Sequence, residues 1–159
     1  YVAVESDFDE SRPLKAFGRD GACWNEEYCD LTVDPTGTRE IAYHFIWNPD
    51  EHSFYDEALG LITDPLHPLF GQYAKSWNGE AISFANCCRD GRWRTRVKIP
   101  YAALGVKTPA SGAVWCLNVG REWNAWTGDP PKFVDAMWNP DVETASFKNP
   151  ETLGEIVFE

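Results

Sequence analysis

From Trp93 the chain runs Trp93-Arg94-Thr95-Arg96-Val97-Lys98-Ile99, with the side chains of Trp93, Thr95, Val97 and Ile99 on one face of an extended segment and three cations on the other. A period of two is the mark of a strand with one face in a core and one in water. Before it comes the turn Arg89-Asp90-Gly91, and before that Ala81-Ile82-Ser83-Phe84-Ala85-Asn86-Cys87 reads as the partner strand. Asp-Gly between two such runs is a strong hairpin signal, because the turn needs positive φ. A lone hairpin cannot bury its apolar side, so a second layer is required.

The remaining residues supply that layer. Strands are predicted at residues 1–6, Tyr28 to Asp34, Glu40 to Asn48, Ser53 to Asp56, Ala113 to Glu122 and Gly154 to Phe158. Asp34-Pro35-Thr36-Gly37-Thr38 and Asn48-Pro49-Asp50-Glu51 are the turns between the early ones. Pro100-Tyr101-Ala102-Ala103-Leu104-Gly105 suits one helical turn closed by glycine. Many short strands separated by turn signals predict an all-β antiparallel two-sheet sandwich of the jelly-roll or immunoglobulin-like kind. The 159 residues suffice for one domain with a real core.

Charge narrows the partners. Fourteen Lys and Arg against 25 Asp and Glu leave a net charge of -11, which opposes nucleic acid and anionic membranes. A neutral polyol, a cation or a basic protein fits better. No apolar stretch approaches the roughly 20 residues of a membrane span, and none reads as a signal peptide. Five cysteines include Cys23 and Cys29, close enough for a local disulfide, and the adjacent Cys87 and Cys88. With no Cys-x-x-Cys and no zinc spacing to His44, His52 or His67, a structural zinc site is not expected. An oxidising compartment is compatible with this usage.

Eight Trp, six Tyr and nine Phe exceed what a small core needs, and one Trp stands out. Trp24 precedes Asp30 by six residues on the approach to a strand. A flat indole beside a carboxylate can hold a sugar ring, whose apolar side stacks while its hydroxyls donate to the acid. Trp123 and Trp126, beside Gly128-Asp129-Pro130-Pro131, are read as loop aromatics forming a second contact surface. No Gly-x-Ser-x-Gly, phosphate loop or nucleotide fingerprint occurs, and the 25 acids single out no catalytic pair.

Several phrases in order resemble carbohydrate-binding module family 9, within the DOMON-like β-sandwiches. They are Trp24 to Asp34, Tyr43-His44-Phe45-Ile46-Trp47-Asn48, Tyr55-Asp56, Asp90-Gly91-Arg92-Trp93 and Ile99 to Gly105. Trp115 to Arg121, Trp138-Asn139-Pro140 and Phe147 to Gly154 complete the series. The resemblance implies a non-catalytic module that binds a saccharide, such as a chain end, between two aromatic platforms. Trp24 matches the first platform and Phe147 the second, with Asp30, Asp7 and Arg121 as hydrogen-bonding partners. Where such members carry an amide, this chain has Gly120, and Phe147 stands where a strong clamp would have Trp.

The family's opening strand has no counterpart here, so residues 1–159 are read as a single domain and a fragment of a longer protein. The resemblance further implies an extracellular, secreted or cell-surface setting beside a catalytic or surface domain. Any glycoside hydrolase activity would reside in that attached domain. It also implies structural calcium at Asp7 and Asp9, with no required cofactor. An assembly module acting through protein contacts is the alternative. A further branch of the fold holds b-type haem, for which Met137 with His44, His52 or Lys148 would be the axial ligands.

Overall fold

The computed structural model describes residues 1–61, 64–66, 70, 77–126, 132–140 and 146–159, without the side chains of residues 124–126, 132 and 133. Two antiparallel sheets face each other. The smaller contains β1 (Val2–Asp7), β5 (Ser83–Arg89) and β6 (Arg92–Lys98), in the order β1-β6-β5. The larger contains β2 (Tyr28–Asp34), β3 (Ile41–Trp47), β4 (Phe54–Gly60), β7 (Val114–Trp126), β8 (Lys132–Met137) and β9 (Gly154–Val157). Its order is β4-β3-β2-β7-β8, with β9 pairing the first part of β7 and β8 the last part. Among the described residues no helix is long and apolar enough to cross a membrane.

The hairpin that constrained the reading is present, with Asp90 at φ 56° and Gly91 at φ 69° forming its two-residue turn. Both left-handed residues match the twist of the flanking strands. Trp93, Thr95 and Val97 of β6 point inward and are buried. Across the gap, Leu31 and Val33 of β2 and Phe45 and Trp47 of β3 complete the core. Polar contacts also span the layers, where Trp47 Nε1 donates to Thr95 Oγ1 at 2.8 Å and Arg121 Nε to Ser6 Oγ at 3.2 Å. The expected helical turn is a 3-10 turn at Tyr101–Leu104, closed by Gly105 at φ 69°.

Two predicted features differ. β7 extends four residues past Glu122, so Trp123 and Trp126 belong to a strand with a bulge between Asn124 and Trp126 rather than to a loop. Trp123 is partly buried, while the Trp126 side chain and the 128–131 loop lie outside the described residues. β8 was not predicted at all. Cys23 and Cys29 are buried and unbridged, and all five cysteines are free thiols.

The turn joining β2 to β3 is organised by one carboxylate. Asp34 is fully buried, and it accepts from Thr36 N at 2.7 Å, Thr36 Oγ1 at 2.6 Å, Gly37 N at 3.1 Å and Arg39 N at 2.6 Å. The residue therefore replaces water for a whole turn. Asp34→Ala should lower stability by about 1–3 kcal/mol, read as a shift in the urea midpoint at constant slope, whereas Thr38→Ala on the same turn should fall within about 0.5 kcal/mol.

Candidate functional site

Strand parity decides which side chains meet. Residues 29, 31 and 33 of β2 enter the core, so Tyr28, Asp30 and Thr32 lie on the outer side of the large sheet. Asp30 pairs with Ile46 and Gly120, Thr32 with His44 and Asn118, and His44 with Glu57. Every residue of β2 is nevertheless buried. The segment carrying Phe147 and Lys148 helps to cover this side of the sheet.

Beneath that cover lies an ionic row. His44 is 1% exposed, with Nε2 at 2.6 Å from Asp30 Oδ2 and Nδ1 at 2.9 Å from Glu57 Oε1. Only an imidazolium can donate from both nitrogens. Burial, the strongest influence on His44, favours the neutral ring. The charge and hydrogen bond of Asp30, with the hydrogen bond of Glu57, outweigh it and raise the pKa. Burial would likewise raise Glu57, but hydrogen bonds from His44 and Lys148 bring it down to about 2. Lys148 Nζ donates to Glu57 Oε1 at 3.1 Å and Tyr55 Oη to Glu57 Oε2 at 3.0 Å. Asp30 Oδ1 and Thr32 Oγ1 are buried with no hydrogen-bond partner among the described residues.

At the rim stands Trp24, 47% exposed on the 3-10 turn Cys23–Asn25. Cys23 anchors the turn from inside, and Asn48 Nδ2 donates to its carbonyl at 2.9 Å and to that of Glu27 at 2.7 Å. The indole meets Tyr55 edge-on, with ring centroids 5.5 Å apart and planes at 89°. The rim thus joins an open aromatic face to the Tyr55 hydroxyl and the half-exposed Lys148, both anchored on the buried Glu57 carboxylate. Tyr55 and Glu57 were missed as site residues. Their spacing of two on a strand that pairs with His44 is the signal that could have found them.

The other residues singled out in the sequence are spread over the fold. Phe147 shares the outer side but is buried, edge-on to Tyr28 with centroids 6.2 Å apart. Its ring fills the space that a side chain at Gly120 would need, for a Cβ there would lie 1.8 Å from Phe147 Cε1. Arg121 follows Gly120 and so points the other way, between the sheets. There it lies 4.7 Å above the Trp93 ring and 2.6 Å from Glu27. Asp7 is at the end of β1 in the small sheet, 2.6 Å from Arg92. Asp9 accepts from Ser11 N and Oγ at 3.0 and 2.7 Å.

Among the described residues no group of three or more His, Cys, Asp or Glu is arranged to hold a metal ion. For haem, Met137 packs beside Phe147 and Tyr28, both nitrogens of His44 are taken by carboxylates, and Lys148 is held by Glu57. His67 lies outside the described residues.

A second acidic pair flanks the site. Glu122 and Asp135 are directly opposite on β7 and β8, and Tyr28 Oη donates to Glu122 Oε2 at 3.2 Å. Burial, then the hydrogen bond and charge of Asp135, push Glu122 up to about 7.

Fold and site together define an antiparallel β-sandwich with a polar, aromatic-rimmed outer sheet face. No family model matches the chain. No curated protein matches it in sequence. Among solved structures, the chain is similar to that of a "putative carbohydrate-binding protein" from Bacteroides uniformis, with a TM-score of 0.64 and 18% identity. The match covers 91% of this chain and 66% of that one, so the chain spans just under two thirds of that protein's length. At this identity the likeness is one of fold.

The charges set a pH profile. His44 has a raised folded pKa, so its stabilisation is complete below about 6.5 and is lost as pH climbs through the raised value. Glu57 has a lowered one, so its contribution is present above about 4.5 and is lost as pH falls toward 2. Glu122, raised to about 7, costs stability as pH rises from 4.5 to 7. Denaturation midpoints should therefore decline from pH 5 to pH 8, Glu122→Gln removing the part below 7 and His44→Gln flattening the part above 6.5. Separately, Gly120→Ala should cost about 1–3 kcal/mol by overpacking. Combined with Phe147→Ala, its effect should be clearly less than additive in a double-mutant cycle.

Proposed function

We propose that this chain is a non-catalytic carbohydrate-binding module whose ligand stacks on Trp24 at the rim of the large sheet. The observation that carries the reading is the half-exposed indole, braced edge-on by Tyr55 beside a hydrogen-bonding line of Tyr55, Glu57 and Lys148. A sugar ring laid on the indole would cover its apolar face, while its hydroxyls could donate to the Tyr55 hydroxyl oxygen and accept from Lys148, both held by the buried Glu57. Asp30 supports this from behind, by fixing His44 and through it Glu57. The buried Phe147 steadies the sheet beneath the ligand instead of closing a two-sided clamp. Asp7 and Arg121, in the other sheet and between the sheets, lie outside the contact. The similarity in fold to a protein described as carbohydrate-binding supports the same reading.

Binding without hydrolysis agrees with the acid chemistry. Glu57 is held ionised, so it has no proton to give a leaving group. Glu122 keeps its proton to about pH 7 but is hydrogen-bonded to Asp135. Carboxyls that close cannot straddle a glycosidic bond, which requires about 5 Å or more between them. The resemblance of the sequence motifs to carbohydrate-binding module family 9 supports an extracellular place beside a catalytic or surface domain.

One platform gives modest affinity. Burying the open part of an indole contributes about 1–2 kcal/mol, and with a few hydrogen bonds this corresponds to a Kd of about 0.1–1 mM. Calorimetric titration against neutral mono- and oligosaccharides should detect such binding, nearly independent of salt. Trp24→Ala should weaken it at least about tenfold while lowering stability by only about 1–2 kcal/mol through the lost contact with Tyr55. Heat from no sugar class, or equal binding by the Ala variant, would reject the reading.

A further inference from the structure

The outward face of the small sheet carries a row of cations that the Trp24 site does not involve. Along β6 the outward residues are Arg92, Arg94, Arg96 and Lys98, about 6.8 Å apart. Acids neutralise only one end of the row. Asp7 lies 2.6 Å from Arg92, and Glu5 lies 2.8 Å from Arg94. Arg96 is flanked across the sheet by Ala3 and Ala85, and Lys98 by Ser83. Both cations are exposed, and no described acid pairs with either.

The small neighbours leave room. An open depression of about 540 Å³ lies between Arg94 and Arg96 over Ala3, Ala85 and Cys87. A second, of about 260 Å³, adjoins it, shares Arg96 and Ala85, and ends at Lys98. Together they form a shallow trough of ligand size, lined by Arg94, Arg96 and Lys98 with one acid, Glu5, already paired with Arg94, in a chain whose net charge is -11.

We propose that this trough binds a short acidic oligosaccharide, one carrying carboxylates on successive sugars. Guanidinium groups grip carboxylates bidentately, and a row of cations matches an anion repeated along an extended chain. Other occupants fit less well. An extended acidic peptide would seek a sheet edge, where backbone groups are unpaired, whereas this face offers side chains alone. A stable protein interface needs large buried anchors, whereas alanines, a serine and a cysteine floor most of the trough and aromatics, Tyr1 and Phe84, line only its Lys98 end. Nucleic acid has far denser charge and would meet the repulsion of the whole chain. A short ligand at moderate salt feels only the groups within about 10 Å. The site is independent of the Trp24 rim, which lies on the outer side of the opposite sheet.

The test is calorimetric titration of the whole chain carrying Trp24→Ala, which removes the neutral-sugar platform, with a galacturonate trimer and, in parallel, a neutral galactose trimer of equal length. The acidic trimer should bind at low salt and weaken at about 0.3 M salt. Arg96→Gln should reduce its affinity at least threefold, and Arg96→Ala with Lys98→Ala at least tenfold. Every further substitution is made on the Trp24→Ala background, and circular dichroism should show every variant folded. No binding of the acidic trimer, equal binding of the neutral one, or affinity indifferent to both Arg96 variants would overturn the proposal. Equal binding of a glutamate oligomer would overturn it in favour of an acidic peptide. A concentration-dependent dimer abolished by the same variants would overturn it in favour of a second copy of this chain.

Discussion

The imidazolium of His44 is squeezed between two carboxylates on a sheet face that has no water to spare for any of them. Asp30, His44 and Glu57 come from three adjacent strands, so one cation ties β2, β3 and β4 together across their outer side. With Lys148 as the fourth member, two positive and two negative charges balance. Removing one partner of such a buried group typically costs about 3–5 kcal/mol, because the remaining charge is left without compensation. The row fixes the rotamers of Glu57 and, through it, the Tyr55 hydroxyl. The rim aromatics rest on that fixed base.

The two faces of the large sheet therefore have different chemistry at adjacent positions. Gly120 lacks a side chain so that Phe147 can lie on the outer side, and Arg121, next in sequence, puts its guanidinium on Trp93 between the layers. Arg121 is satisfied there by Glu27, which Arg12 also engages. An inter-sheet cation paired in this way links the loop preceding β2 to the core of the sandwich. It holds the base of the turn on which Trp24 stands. Structural and ligand-facing roles alternate residue by residue, as a period of two dictates.

Much of the architecture was legible because alternation and turn chemistry agree. The Asp90-Gly91 hairpin, the β2 limits and the Gly105 closure follow from local rules that tertiary packing did not override. β8 was not legible, since Lys-Phe-Val-Asp-Ala-Met has neither clean alternation nor a turn signal to set it off. Of the residues singled out, Trp24, Asp30 and Phe147 lie on the outer side of the large sheet, with Phe147 buried there. The opposed placement of Arg121 depends on the pairing of Asp30 with Gly120, a register that one sequence does not display. Tyr55 and Glu57 escaped notice for the same reason, as their value comes from His44 on the neighbouring strand.

The order in which the chain is synthesised has its own bearing on the buried charges. β2, β3 and β4 form a local antiparallel meander, and it already contains Asp30, His44 and Glu57 in their final register. Lys148 follows Glu57 by 91 residues, and Phe147 arrives with it. β7, which must pair with β2, is also distant in the chain, and such non-local pairing is slow. The nascent meander can thus assemble its ion row while still wet, when desolvation costs little, and the apolar cover closes over charges that are already matched.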